Sequence, residues 1–134
     1  MTRTLHRREH RVEGLPEALS HYTDAVSAGG LLFVSGIVAV DADGSLVGRD
    51  DVVAQTRRIF EIMRAVLADA GCSFADVVRV TVYLTDVDDR ARINPVRQEV
   101  FGEALPASTL VEVSRLAVPG ARVEIECIAA LPDA

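Results

Sequence analysis

Hydrophobic and polar positions follow two different periods along the chain. Residues 51–70 carry hydrophobic side chains at the three- and four-residue spacing of an amphipathic helix, with Asp50 as its N-cap and Gly71 just past its end. Residues 77–85 alternate between hydrophobic and polar side chains, which predicts a half-buried strand. Residues 31–40 form an apolar, β-branched run that predicts a buried strand.

Weaker patterns predict the remaining elements. A second helix is expected over about residues 89–103, where Asn94-Pro95 either kinks the helix or begins its main part. Two further strands are expected over residues 109–114 and 122–130. Tight turns are expected at Asp43-Gly44 and at Pro119-Gly120.

The order of these elements predicts a single α+β domain over residues 1–134. Two helices can shield only one face of a mixed sheet. The other face still carries Val, Leu and Ile, and the predicted elements leave nothing else to cover it. Contact with further copies of the chain is the economical way to bury that face, so the pattern predicts an oligomer.

Charge and composition argue against nucleic acid as the main partner. The 134 residues carry a formal net charge of −6 and only 4% aromatic residues, whereas phosphate binding needs a basic face and single strands need stacking platforms. One basic cluster near the N-terminus is interpreted as part of a solvated first strand, and consists of Arg3, His6, Arg7, Arg8, His10 and Arg11.

The same chain lacks the signals of a membrane or secreted protein. No apolar run approaches the ~20 residues that span a bilayer, and no apolar segment of a secretory signal follows the N-terminus. Cys72 and Cys127 have neither metal-site spacing nor a disulfide framework, and Cys127 is expected to be a small buried hydrophobe. These features predict a cytoplasmic protein without a metal or a membrane partner.

Eight short segments form a series along residues 16–131. They are residues 20–26 (SHYTDAV), 32–36 (LFVSG), 54–56 (AQT), 76–84 (DVVRVTVYL), 93–94 (IN), 106–107 (PA), 111–116 (VEVSRL) and 123–129 (VEIECIA). In this order they resemble the RidA/YjgF family of reactive-intermediate deaminases. Each segment alone is a weak signal, but eight in register are strong evidence for the fold.

The resemblance implies an α+β, chorismate-mutase-like fold with a mixed six-stranded sheet and two helices on one face. It implies a homotrimer with small-molecule clefts between subunits. It also implies hydrolysis of an enamine or imine to a keto acid and ammonia, without metal or organic cofactor. Glu124 matches the family glutamate that positions the attacking water, although spacing alone would make it an ordinary carboxylate on an alternating strand.

The chain departs from the family where the substrate carboxylate is bound. Ser108 stands where the family's P-A-R motif has arginine. A neutral hydrogen bond contributes about 0.5–1.5 kcal/mol, against about 1.5–3 kcal/mol for a charge-assisted one. We therefore expect weak or no activity on the family's usual 2-imino acids, and a gain of that activity in Ser108→Arg.

The resemblance places four further residues among substrate-binding positions: Tyr22, Asn94, Gly36 and Ile37. Tyr22 is expected either to close the pocket and bond substrate through its phenol, or to be a half-buried aromatic with a wet tip. Asn94 is expected either to bond main-chain groups of the cleft, or to be a plain helix N-cap before Pro95.

Three more side chains are candidates with ordinary alternatives. His21 is either a proton donor and acceptor near neutral pH or an idle loop residue. Arg97, in place of a family aromatic, is either a relocated positive charge or a surface arginine. Arg122 shares strand parity with Glu124, so it is expected either to supply charge to the substrate or to pair with that glutamate.

Three function classes follow. The first is a cofactor-free deaminase or related hydrolase or lyase acting on an enamine- or imine-type metabolite, motivated by Glu124. The second is a non-catalytic small-molecule-binding or regulatory trimer, motivated by Ser108. The third is RNA cleavage, which the net charge of −6 and the scarcity of aromatic residues disfavour.

Overall fold

A computed structural model describes residues 6–132 and contains one six-stranded mixed sheet. The strands are β1 (Arg8–His10), β2 (Ala25–Ala28), β3 (Leu31–Ile37), β4 (Val77–Leu84), β5 (Ala107–Glu112) and β6 (Val123–Ala130). Their order across the sheet is β1-β2-β3-β6-β4-β5, and only β4 and β5 pair in parallel. The helices are α1 (Val52–Asp69) and α2 (Arg90–Phe101). The predicted α+β architecture is therefore confirmed.

One face of the sheet packs against the helices and forms the core. Alternate residues of β4 and β6 are buried there, as the period-two pattern predicts for half-buried strands. Helix α1 contributes Ile59, Met63 and Leu67, each completely buried. The rings of Phe60, Phe74 and Phe101 meet edge to face at centroid distances of 5.5–5.9 Å and join α1 to α2.

Helix α1 begins one residue later than the sequence predicted. The side chain of Asp51, not Asp50, caps it by accepting a hydrogen bond from the Ala54 amide at 3.0 Å. A turn closed by the Asp51 amide on the Gly48 carbonyl precedes the helix and places Asp50 at a φ of 60°. The extended conformation that an N-cap requires is therefore available only at Asp51. Gly71 follows the helix, as expected, at a φ of 78°.

Helix α2 runs through Asn94 and Pro95 without a break, so neither residue begins it. The N-cap position is Asp89, and the interpretation of Asn94 as an N-cap is wrong. Strand β3 ends at Ile37 rather than at residue 40, and it contains a bulge after Val34.

Two smaller corrections concern the other strands. Strand β5 starts and ends two residues earlier than expected. Strand β2 was predicted by no hydrophobic pattern and appears as the antiparallel partner of β3. In the basic N-terminal cluster, Arg8–His10 form the short edge strand β1 and His10 is buried, while Arg3 lies outside the described residues.

A buried glutamine joins the loops at one end of the sheet. Gln55 donates from Nε2 to the carbonyls of Gly48 and Gly120, at 3.1 and 3.2 Å, and its Oε1 accepts from the Arg122 amide at 2.8 Å. These three bonds fix the chain at the start of β6 and so fix the position of the residues that follow. Among residues 6–132, no helix is both long and apolar enough to cross a membrane.

Candidate functional site

The carboxylate of Glu124 lies against Gly36 on the face of the sheet that the helices leave uncovered. Between Val34 and Ile37 two residues of β3 oppose one residue of β6, and this bulge brings Gly36 beside Glu124. A Cβ at Gly36 would overlap the Glu124 carboxylate, whose Cδ would lie at 3.1 Å. A larger residue here would therefore displace the Glu124 carboxylate, while the backbone itself would accept it, because the φ of Gly36 is not positive.

The environment of Glu124 favours its protonated form. Its half-buried position raises the pKa of the carboxyl above its ordinary value, and the nearby charge of Glu126 raises that pKa further. Glu126 accepts a short hydrogen bond from the Tyr83 hydroxyl, and this bond raises the pKa of Tyr83. A carboxyl group with a raised pKa can take up and return a proton closer to neutral pH than an ordinary glutamate.

A cleft of about 350 Å³ opens beside this carboxylate. We call it the β3–β6 cleft, and its lining residues are Leu19, Ser20, Tyr22, Ser35, Gly36, Val38, Ala117, Val118 and Glu124. It has room for a small metabolite, and its wall is mainly apolar with a few polar groups, the usual composition of a small-molecule site.

Tyr22 stands at the mouth of the β3–β6 cleft with its side chain exposed. Its phenol oxygen accepts a hydrogen bond from the Leu19 amide at 3.2 Å, which leaves the phenol hydrogen available to a ligand. Asp24 fixes the segment behind it by accepting from the Val12 amide at 2.7 Å and from Arg11 at 2.8 Å. Ser35 donates to the Thr23 carbonyl at 2.5 Å and attaches this segment to β3.

A second polar group lies where α2 meets the edge strand β5. Arg97, half-buried on α2, donates from Nη2 to the Ser108 hydroxyl at 2.8 Å. Asn94 is exposed one turn earlier on the same side of the helix. We call Asn94, Arg97 and Ser108 the α2–β5 edge. The structure thus brings Arg97 and Ser108 together, and helical spacing places Asn94 on their side of α2.

Within one subunit the two groups are too far apart to hold one small substrate. Glu124 pairs with Tyr83, which pairs with Val111, so β6 and β5 are separated by two strand spacings. Ser108 lies three residues before Val111, which places its Cα roughly 14 Å from that of Glu124 at strand spacings of about 4.8 Å and a rise of about 3.3 Å. Ser108 also faces the helices, while Glu124 faces away from them.

Two other candidate residues lie outside both groups. The side chain of Ile37 is 9% exposed and belongs to the core, so only its backbone can reach a ligand. His21 is exposed and lines a neighbouring depression with Arg7 and Glu9, which shares Ser20 and Tyr22 with the cleft. The structure does not place its side chain in the β3–β6 cleft.

Arg122 does not pair with Glu124, so that expectation is wrong. Its Nη2 lies 2.8 Å from Oδ2 of the buried Asp89, and its Nη1 donates to the Asp50 carbonyl at 3.4 Å. Strand β6 begins at Val123, so the alternation that orients Glu124 does not extend back to Arg122. The arginine stabilises the start of α2 instead of the cleft.

Sequence reasoning missed the pair formed by Tyr83 and Glu126. Glu126 follows Glu124 by two residues and so shares its face, and the alternation of β4 places Tyr83 on the open side. Strand alternation in the sequence therefore indicates that both side chains lie on the open face. It does not indicate the register in which β4 and β6 pair, which brings the two side chains together. Cys127 is buried, as predicted, and burial raises its pKa to about 12. Over residues 6–132 no cluster of His, Cys, Asp or Glu has the arrangement of a metal site.

Comparisons with known proteins agree with this fold. The family model described as Endoribonuclease L-PSP matches residues 13–131. A RutC family protein of Pyrococcus abyssi is 41% identical over 117 residues, which cover 87% of this chain and 91% of the relative. The crystal structure of a protein of unknown function from Yersinia pestis, of the conserved Rid family, superposes with a TM-score of 0.87 at 32% identity, covering 93% and 99% of the two chains.

Two similar proteins carry the names of deaminases. The 3-aminoacrylate deaminase RutC of Acinetobacter baylyi is 38% identical over 117 residues, covering 87% of this chain and 92% of that protein. The 2-iminobutanoate/2-iminopropanoate deaminase of Salmonella typhimurium is 35% identical over 120 residues, with 87% and 92% covered.

Proposed function

Since the chain belongs to the endoribonuclease L-PSP family, which also contains RutC and RidA deaminases, we propose that it is a deaminase that hydrolyses an enamine or imine. The reaction converts the C=N group of the imine and one water into a carbonyl group and ammonia. The observation that carries the proposal is the carboxylate of Glu124, held beside Gly36 in the β3–β6 cleft with a raised pKa.

Glu124 is the group that moves protons in this reaction. Its carboxylate accepts a proton from water as the water oxygen attacks the imine carbon. The protonated carboxyl then returns this proton to the nitrogen, which gives a carbinolamine. The carboxylate next accepts the proton of the carbinolamine hydroxyl and passes it to the same nitrogen, so the carbonyl forms, the C–N bond breaks and ammonia leaves. No residue of the protein changes its oxidation state, and both protons of the water end on ammonia. The phenol of Tyr22 is available to orient the substrate at the mouth of the cleft.

The proposed site lies between subunits of a homotrimer. The α2–β5 edge of one subunit is too far from its own Glu124 to share a small substrate, so we assign each site one cleft and the edge of a neighbour. The uncovered face of the sheet also exposes Phe33, Val78 and Val111 at 43%, 46% and 39%, which association with further copies would bury.

A non-catalytic binding protein is the alternative, and Ser108 is the observation that favours it. Without an arginine at this position, a cleft can keep its shape and still bind small molecules while no longer catalysing their hydrolysis. Stabilisation of the protein against heat by small carbonyl compounds, with no turnover of any enamine, would favour this alternative.

Ammonia release from freshly generated 3-aminoacrylate and 2-iminobutanoate tests the proposal. Wild type is expected to accelerate release, and Glu124→Gln to lose about 10²–10⁴-fold of that activity, the usual contribution of a general acid–base group. Glu103→Gln, an exposed glutamate beyond α2, is the matched control and should retain full activity. Full activity in Glu124→Gln would contradict the proposed role, and cleavage of RNA by nuclease-free protein would support the third class instead.

A further inference from the structure

Arg97 is a partly buried cation that has no carboxylate partner among residues 6–132. Its guanidinium donates a hydrogen bond to the neutral Ser108 hydroxyl at 2.8 Å, and no carboxylate of the described residues forms an ion pair with it. Burial lowers the pKa of Arg97, although a guanidinium stays charged at neutral pH. Removing a cation from water without pairing it is unfavourable, so its position requires an explanation.

The other arginines of the described chain have ordinary explanations. One set lies within 4.0 Å of a carboxylate, and comprises Arg7, Arg11, Arg57, Arg58, Arg90, Arg92 and Arg122. The other set lacks such a partner but is exposed to water, and comprises Arg8, Arg49, Arg64, Arg79 and Arg115. Among these described arginines, only Arg97 is both half-buried and without an anionic partner.

The surroundings of Arg97 suit an anion. The Ser108 oxygen accepts from Arg97, so the serine hydrogen remains available to a ligand. Asn94, on the same side of α2, carries an exposed amide that can donate as well. The remaining N–H groups of the guanidinium have the planar fork that matches a carboxylate.

We propose that Arg97, held in place by the Ser108 hydroxyl, binds the carboxylate of the substrate. This inference rests on the proposed function and makes it more specific: the substrate is an enamine or imine that carries a carboxylate. The positive charge has moved from strand β5 to helix α2 rather than being lost. In this arrangement the hydroxyl at position 108 serves to hold the guanidinium of Arg97 through their hydrogen bond.

The proposal differs from the expectation drawn from Ser108 alone. A serine at that position was expected to weaken the binding of 2-imino acids, because a neutral hydroxyl replaces a charge. With Arg97 bonded to that hydroxyl, the charge is again present at the α2–β5 edge. The expectation treated position 108 by itself, whereas the binding group is a pair from two elements.

The proposed carboxylate site can be tested without turnover by measuring the binding of 2-oxobutanoate. This compound is a stable carboxylate that hydrolysis of a 2-imino acid would yield. Isothermal titration calorimetry on the purified protein should show binding to wild type, and Arg97→Gln should weaken it by about 10- to 100-fold, the range for a charge-assisted pair. Ser108→Ala should weaken it less, because the guanidinium stays and loses only its support. Arg90→Gln, an exposed arginine on the same helix, is the matched control and should bind as wild type does.

Two further readouts separate charge from general damage to the fold. In a deaminase assay Arg97→Gln should raise KM for a carboxylate-bearing substrate far more than it lowers kcat, and Arg97→Lys should recover part of the loss. Unchanged 2-oxobutanoate binding in Arg97→Gln, or no binding by wild type, would overturn the inference. Arg97-dependent binding without any ammonia release would uphold the anion site and reject the proposed function.

Discussion

The β3–β6 cleft and the α2–β5 edge are built in different ways. In the cleft, Glu124 is held by the backbone shape of a bulge and by the missing side chain of Gly36. At the edge, Arg97 is held by one hydrogen bond between side chains of two elements. A group fixed by backbone shape tolerates few substitutions around it, whereas a pair of side chains can be exchanged for another pair. The comparison indicates that the proposed acid–base group is tied to the fold, whereas the proposed anion-binding pair can be moved from one element to another.

The largest effect should come from filling the space beside Glu124. Gly36→Ala adds a Cβ that overlaps the carboxylate, and a displacement of about 1 Å costs about 10²-fold in rate. Stability should change little, because the φ of Gly36 is not positive and the carboxylate is the end of a flexible side chain. The rate of ammonia release measures the loss of activity, and the midpoint of urea unfolding measures the change in stability.

Glu103→Gln, an exposed residue outside the cleft, is the control for that substitution and should behave as wild type. Undiminished activity in Gly36→Ala would show that backbone shape does not fix the catalytic group, and would remove the contrast between the two regions.

The next effect concerns stability and should leave both regions working. Arg122→Gln removes the cation that lies 2.8 Å from the buried Asp89, leaving Arg92 at 3.4 Å as its ion-pair partner. Loss of one partner of a buried pair costs up to about 3–5 kcal/mol, and because Arg92 remains we expect about 1–3 kcal/mol. Urea unfolding measures the loss.

Activity measured well below the unfolding midpoint of Arg122→Gln should equal that of wild type. A large fall in activity without a fall in stability would instead support a role of Arg122 in supplying charge to the substrate, the alternative that strand parity suggested.

A smaller effect is expected from exchanging the charge at the edge. Ser108→Arg alone puts two guanidinium groups side by side, so it should not give the gain in activity on 2-imino acids that the sequence predicts. The double variant Arg97→Gln, Ser108→Arg should recover about 10-fold in kcat/KM over Arg97→Gln alone, because it restores one charge-assisted contact. Steady-state kinetics on 2-iminobutanoate compare the variants. If Ser108→Arg alone raised kcat/KM as much as the double variant does, the proposal that Arg97 supplies the charge would be contradicted.

The smallest effect is a shift of the pH profile. The charge of Glu126 helps to raise the pKa of Glu124, so Glu126→Gln should lower that pKa. A base works only when ionised, so the acidic limb of kcat/KM should move to lower pH, with little change at neutral pH. Glu103→Gln should leave the profile in place. A limb that moves to higher pH in Glu126→Gln would contradict the assignment of Glu124 as the base.

Much of the fold could be predicted from the sequence because its longest elements carry clear periods. Helix α1 and strands β4 and β6 lie within a residue or so of their predicted ends. The cap of α1 was misplaced by one residue, because the turn at Gly48 decides which aspartate is extended. The short strand β2 could not be predicted, because its partner β3 and not its own pattern defines it.

The site was harder to predict, for reasons that differ between its two regions. Glu124 was identified from a family resemblance and Gly36 with it, but not the bulge that brings them together. Arg97 and Ser108 were both named, yet no spacing in the sequence says that a helix residue reaches a strand residue eleven positions later. The prediction that Arg122 lies on the same face as Glu124 was wrong, because β6 and its alternation begin one residue after Arg122.

Mixing two defective variants tests most directly whether each site joins two subunits. Glu124→Gln and Arg97→Gln, co-expressed with different tags and isolated as mixed trimers, should recover about a third of wild-type activity. In every closed trimer that contains both variants, one cleft of the three combines an intact glutamate with a neighbour's intact arginine. Activity no higher than the average of the two separate variants would contradict a site shared between subunits.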